Sequence, residues 1–120
     1  MPRLSLQISG AGHARLDHLD AESLQFQASG AGEGTFAGQV RDLSIGISGR
    51  GDVRAENLAA RVARVSISGV GDVRLWVNDA LSVNVAGIGK VEYWGTPPVV
   101  HRSASGAARV TPLGPKAPGP

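Results

Sequence analysis

The groups in this 120-residue chain that could do chemistry are three histidines, ten carboxylates and a series of serines set before glycines. A metal centre needs His, Asp, Glu or Cys side chains converging from separate elements. Cysteine is absent, which removes thiolate ligands, a cysteine nucleophile and any disulfide framework. His13 and His101 stand at outward positions, His18 lies in a connecting segment, and His13 is within reach of Asp17 only as a solvated pair. A serine nucleophile needs a base in reach and an oxyanion hole. Ser48, Ser68 and Ser105 occupy equivalent places with no histidine column beside them, so their hydroxyls are expected to bond between neighbouring segments. Gly49-Arg50-Gly51-Asp52 and Gly69-Val70-Gly71-Asp72 are similar to pieces of a calcium-binding repeat. That repeat recurs about every nine residues with an Asp in each turn, whereas the equivalent positions here are His13, Glu33, Asp52, Asp72, Lys90 and Arg109. A phosphate-cradling glycine loop would need a helix after it, and none is apparent. The expectation is no catalytic residue, no metal ligand and no cofactor.

The elements that carry these residues are set by a repeat. Ser/Ala-Gly-x-Gly occurs at 9–12, 29–32, 48–51, 68–71 and 86–89, and Ser105-Gly106-Ala107-Ala108 is a sixth copy that lacks its second glycine. The first glycines recur every 18–20 residues (Gly10, Gly30, Gly49, Gly69, Gly87, Gly106). Before them, apolar residues alternate with polar or small ones: Leu4, Leu6, Ile8; Leu24, Phe26, Ala28; Leu43, Ile45, Ile47; Ala63, Val65, Ile67; Leu81, Val83, Val85; and, with a charge in the middle place, Val100, Arg102, Ala104. Alternation with period two marks a strand with one buried face. It resumes after the glycines at Val53 and Ala55, Val73 and Leu75, Val91 and Tyr93. A shorter third edge is marked by Leu19, Leu58 or Val77.

Nineteen residues are too few for two helices and their turns, and glycine inside a helix costs about 1 kcal/mol relative to Ala. The leucine-rich repeat signature is missing. The chain therefore reads as all-β: one parallel β-solenoid (β-helix) of about six coils, 18–20 residues each, wound right-handed as parallel crossovers are. The solenoid spans 1–113, and 114–120 is a Gly/Pro-rich tail. Gly10, Gly12, Gly30, Gly32, Gly49, Gly51, Gly69, Gly71, Gly87, Gly89 and Gly106 are assigned as structural corners, through left-handed backbone angles and close stacking. Gly34 and Gly38 stand where branched residues would pack, which predicts a looser or bulged coil at 29–40.

Charge points to surfaces rather than sites. Residues 1–60 hold five bases and seven acids, residues 61–120 seven bases and three acids, and the net charge is +2. Bases scattered singly do not make the concentrated basic face of a nucleic-acid binder. No segment approaches the roughly 20 apolar residues of a membrane span, so neither nucleic acid nor membrane insertion is expected. The start lacks the apolar block of a secretory signal, so either the chain is not exported or its leader lies upstream. The most suggestive surface follows each corner, where Asp52 and Asp72 should stack, as should Arg54, Arg74 and Glu92, with Arg50 at a corner tip. Trp76 and Trp94 fall outward and Tyr93 inward. Trp76 joins the interaction surface, while Trp94 with Pro97 and Pro98 is expected to cap the last coil. Leu4, Leu6 and Ile8 leave an apolar N-terminal face, which predicts a homodimer through the first coil.

Ile47-Ser48-Gly49-Arg50-Gly51-Asp52-Val53-Arg54, Ile67-Ser68-Gly69-Val70-Gly71-Asp72-Val73-Arg74 and the closing Tyr93-Trp94-Gly95-Thr96-Pro97-Pro98-Val99-Val100 resemble the head GIN domain family, over roughly residues 4–113. The resemblance implies a β-helical fold, placement in the bacterial envelope (periplasm or surface) and no known catalytic activity. The expected role is a structural or adhesin-like module with laddered polar faces for protein or glycan. The alternative is a cytoplasmic β-helical scaffold that assembles end to end, as bactofilin-like proteins do.

Overall fold

Four of the strands are too long to be straight. In the computed structural model, which describes residues 3–95 and 99–114, β1 (Arg3–Ile8) is followed by β2 (Ala11–Ala28), β3 (Ala31–Ile47), β4 (Arg50–Ile67) and β5 (Val70–Val85). Then come β6 (Ile88–Trp94), β7 (Val99–Ala104) and β8 (Ala107–Pro112). A straight strand of 18 residues would reach about 60 Å, yet the molecule measures 34 × 27 × 26 Å. Each long strand must wrap around the axis, and its neighbours in sequence are its neighbours in the sheet. Every strand pairing is parallel, in the order β1-β2-β3-β4-β5-β6-β8, with β7 on β5. This is the expected solenoid of about six coils.

The ladders run through the corners without a break. Ser29 N–H donates to the Ile8 carbonyl at 2.9 Å and Ala31 N–H to the Gly10 carbonyl at 2.7 Å, and the same pair of bonds recurs at each later corner. Backbone groups at a bend would otherwise lack partners away from water. Ser29, Ser48 and Ser68 add long hydroxyl contacts of 3.4 Å to the carbonyls of Ile8, Ala28 and Ile47 on the preceding coil. The expected hydroxyl ladder is therefore present at Ser48 and Ser68.

Inside, equivalent residues stack into apolar columns. Leu24, Leu43, Ala63 and Leu81 form one, Phe26, Ile45, Val65 and Val83 the next, and Val53, Val73 and Val91 another. None of these is more than 3% exposed, and no polar side chain is buried among the described residues. Alternation alone produces this: successive Cβ atoms point to opposite faces, so every second residue enters the core.

Of the two reasons expected for the corner glycines, close stacking holds at most corners and the left-handed angle at one. Among the corner glycines only Gly10 has a left-handed angle, φ +125°. At Gly30, Gly49, Gly69, Gly87 and Gly106 the constraint is space, because an added Cβ would meet the glycine carbonyl of the coil before, well inside 3.0 Å. Gly12, Gly32, Gly51, Gly71 and Gly89 are not corners. They lie inside β2 to β6 on the core side, under the branched side chains of Ile8, Ile47, Ile67 and Val85.

The coil at 29–40 is bulged but not loose. Register shifts fall between Leu16 and Leu19 and between Thr35 and Ala37. The space beside Gly34 is taken by Phe26 and Phe36, buried edge to face with centroids 5.4 Å apart. The third edge also differs: Leu19, Gly38 and Leu58 share a column, whereas Val77 stacks on Ala60, Val40 and Ala21. Met1, Pro2, residues 96–98 and the tail from 115 lie outside the described residues, and with them the proposed cap of Pro97 and Pro98.

Candidate functional site

Two flat outer faces meet at the Ser-Gly corner. The face before it carries Ser5, Gln25, Ser44, Arg64, Ser82 and His101 in one column, and Gln7, Gln27, Gly46, Ser66, Asn84 and Ser103 in the next. It is almost uncharged. Gly46 interrupts the second column and leaves a shallow hollow of about 220 Å³ rimmed by Gln27, Ser48 and Ser66.

The face after the corner is charged, and it holds the residues singled out from the sequence. Asp52 pairs in register with Asp72, and Asp72 with Lys90. Two residues along, Arg54 pairs with Arg74 and Arg74 with Glu92. All of these alternate with buried Val53, Val73 and Val91, so they point outward from a rigid base. Glu92 is held within the chain: its Oε1 lies 3.6 Å from Arg74 Nε and 3.8 Å from Lys90 Nζ. Asp52, Asp72 and Arg54 make no ion pair among the described residues.

Both columns stack like charge on like at the third and fourth coils. Like charges directly opposite each other in neighbouring strands are destabilising. A sequence tuned only for stability would alternate them.

The flanks of this face are less polar. Arg50 is followed in its column by Val70 and Ile88, which are 43% and 60% exposed. On the far side Trp76 stacks between Ala59 and Trp94. Both tryptophans face outward as expected but are half-buried, and Tyr93 is buried. Val70 and Ile88 are legible in the sequence only from their place after the glycine in a strictly alternating strand, which turns them outward.

The histidine pairing is corrected. His13 Nδ1 lies 3.0 Å from Glu33 Oε2 on the next coil, while Asp17 contacts Arg15 at 3.5 Å. In-register neighbours on adjacent coils outcompete residues four apart along a strand. No three of His, Asp and Glu come together as a metal set among the described residues. A further concavity of about 330 Å³, lined by Asp20, Gln39, Arg41 and Arg61, sits on the third edge. No sequence signal marked it, because bulges shift the register there.

The two ends differ. Leu4, Leu6, Ile8, Leu16 and Leu19 are half-buried over the core at the N-terminal end. At the other end Arg102 occupies the column of Phe26, Ile45, Val65 and Val83, and it is exposed.

Comparison with known proteins concerns the family and the fold. The family described as putative auto-transporter adhesin, head GIN domain, matches residues 1–97. Among solved structures, a putative adhesin from Bacteroides fragilis superposes with a TM-score of 0.84 at 24% identity, over 94% of this chain and 54% of that one. The chain thus spans about half the length of that protein, and the likeness concerns the fold. No curated protein matches the chain. No helix among the described residues is long and apolar enough to cross a membrane.

Proposed function

Because the chain belongs to the head GIN domain family of putative auto-transporter adhesins, we propose that it is a non-enzymatic contact module of the bacterial cell envelope. It presents laddered polar faces to protein or glycan. The observation that carries this reading is the pair of flat, outward-facing ladders fixed on an unbroken apolar core. Such a base holds each side chain at a set spacing without ordering a loop, which lowers the entropy lost on binding. The nearly uncharged face suits a neutral glycan: its amides and hydroxyls both donate and accept, and the hollow at Gly46 admits a protruding group.

A second reading is the cytoplasmic scaffold stacked end to end. The half-exposed Leu4, Leu6 and Ile8 favour it, but Arg102 at the opposite end would press an unpaired charge against them. Burying such a charge is costly.

The test combines a glycan array and purified envelope proteins with fractionation of cells that make the protein. Retention of the full chain on a glycan or envelope protein is expected, weakened at least about tenfold, or 1.4 kcal/mol, by Gln27→Arg with Ser66→Arg. Absence of retention on every surface, with all of the protein in the cytoplasm, would refute the reading. Filaments would favour the scaffold.

A further inference from the structure

The charged face is complementary to itself. We propose that its occupant is a second copy of the same chain, docked face to face about a two-fold axis that runs parallel to the solenoid axis. The inference rests on the reading of the protein as a contact module and names the partner of one of its two faces.

The geometry follows from the register. On each central coil the outward pair has opposite sign: Asp52 and Arg54, Asp72 and Arg74, Lys90 and Glu92. The acid and base columns of the third and fourth coils run side by side along the solenoid. A two-fold axis lying between them, above the line of Val53, Val73 and Val91, exchanges left and right but leaves height along the solenoid unchanged. Each coil then faces its own counterpart. Asp52 and Asp72 of one copy come over Arg54 and Arg74 of the other, and Lys90 comes over Glu92. The perpendicular in-plane axis would set Asp over Asp and Arg over Arg, so one arrangement is selected.

This accounts for two features that a solvated ladder leaves unexplained. Like-on-like stacking at Asp52–Asp72 and at Arg54–Arg74 is unfavourable within one chain, but it builds two uniform stripes that a second copy neutralises. The same axis carries the exposed Val70 and Ile88 of one copy over the flank of the other that holds Trp76 and Trp94, giving apolar contact on both sides of a charged centre. A face about 20 Å wide, from six strand residues, and about 25–30 Å tall, from six coils, offers on the order of 550 Å² per copy. The total of roughly 1,100 Å² lies at the low end of specific interfaces. The dimer should therefore be weak and salt-sensitive.

The test is sedimentation equilibrium of the full chain at about 50 mM and about 500 mM salt, where screening shortens the reach of exposed charges to a few ångströms. Self-association is expected, at least about tenfold weaker in high salt. Asp52→Arg with Asp72→Arg, and separately Arg54→Asp with Arg74→Asp, should each leave a folded monomer by circular dichroism. Mixing the two variants should restore a dimer. A variant carrying all four changes should pair with itself but not with the parent, since the swapped columns then meet like charge.

A parent chain that stays monomeric at its highest soluble concentration would overturn the proposal. So would a dimer indifferent to both column variants, or one abolished only by Leu6→Lys, which would move the contact to the first coil. Cross-pairing of the four-fold variant with the parent would refute the axis. Glycan retention through the Gly46 hollow is read separately, so the contact-module reading can stand while this one falls.

Discussion

Substituting Ala at Gly69 should destabilise the protein far more than the same change at Gly71, two residues away. An Ala Cβ at 69 would lie against the Gly49 carbonyl, with the carbonyl carbon itself at 3.0 Å. Neither atom can move unless the third and fourth coils part at this corner. Parting them stretches the bonds that flank the contact, Val70 N–H to the Gly49 carbonyl at 2.9 Å and Ser68 N–H to the Ile47 carbonyl at 2.8 Å. Each lost backbone bond costs about 1 kcal/mol, and up to about 3 if its groups stay unsatisfied. Replacing Gly restricts the unfolded chain and returns about 0.4–1 kcal/mol. With two such bonds at stake, the net loss expected is about 1–5 kcal/mol.

At Gly71 the nearest atom is Ile47 Cδ1 at 3.0 Å, with the Gly51 carbonyl oxygen at 3.4 Å and Ile67 Cδ1 at 3.5 Å. The tip of an isoleucine can yield by a small rotation, at about 0.5–1.5 kcal/mol, which the unfolded-state term largely offsets. The last coil already has Ala108 in this column, paired with Gly89. Urea unfolding followed by circular dichroism would measure both variants against the parent, with unchanged slopes certifying the comparison. If Gly71→Ala lowered stability as much as Gly69→Ala, the close-approach account of the corners would be wrong.

Two further outcomes follow from the same packing. Gly34→Ala should lower the melting temperature, because its Cβ would stand 2.9 Å from Phe36 Cζ and 3.3 Å from Phe26 Cζ, and overpacking a filled core costs about 1–3 kcal/mol. A companion Phe36→Leu in the Gly34→Ala background should recover part of the loss, and no recovery would refute the steric cause. Excess calcium or zinc should leave the melting temperature unchanged, since stabilisation by a bound ion requires a site in the folded state and no ligand triad forms among the described residues. A rise of several degrees, reversed by EDTA, would contradict this.

Local alternation and the glycine spacing are enough to define the coil and its core. Period-two alternation is a local property of extended backbone, so the inward direction of Leu24, Ile45, Val65 and Val73 follows from their neighbours alone. The recurrence of Gly10, Gly30, Gly49, Gly69, Gly87 and Gly106 then stacked those faces into columns. The same arithmetic placed Asp52 over Asp72 and Arg54 over Arg74.

Wherever one coil constrains another, the folded chain adds what local pattern lacks. At Gly30, Gly49, Gly69, Gly87 and Gly106 the folded chain selects between the two reasons the sequence offers: the carbonyl of the coil before excludes a Cβ, and no left-handed angle is needed. His13 found Glu33 rather than Asp17 because ladder neighbours are closer than any pair four residues apart on an extended strand. Val77 joined Ala60 rather than Leu58 because bulges between Ala55 and Val62 shift the register of β4 against β5. Alternation says which way a side chain points; which residue it meets is set by inter-coil hydrogen bonds, and those exist only in the folded solenoid.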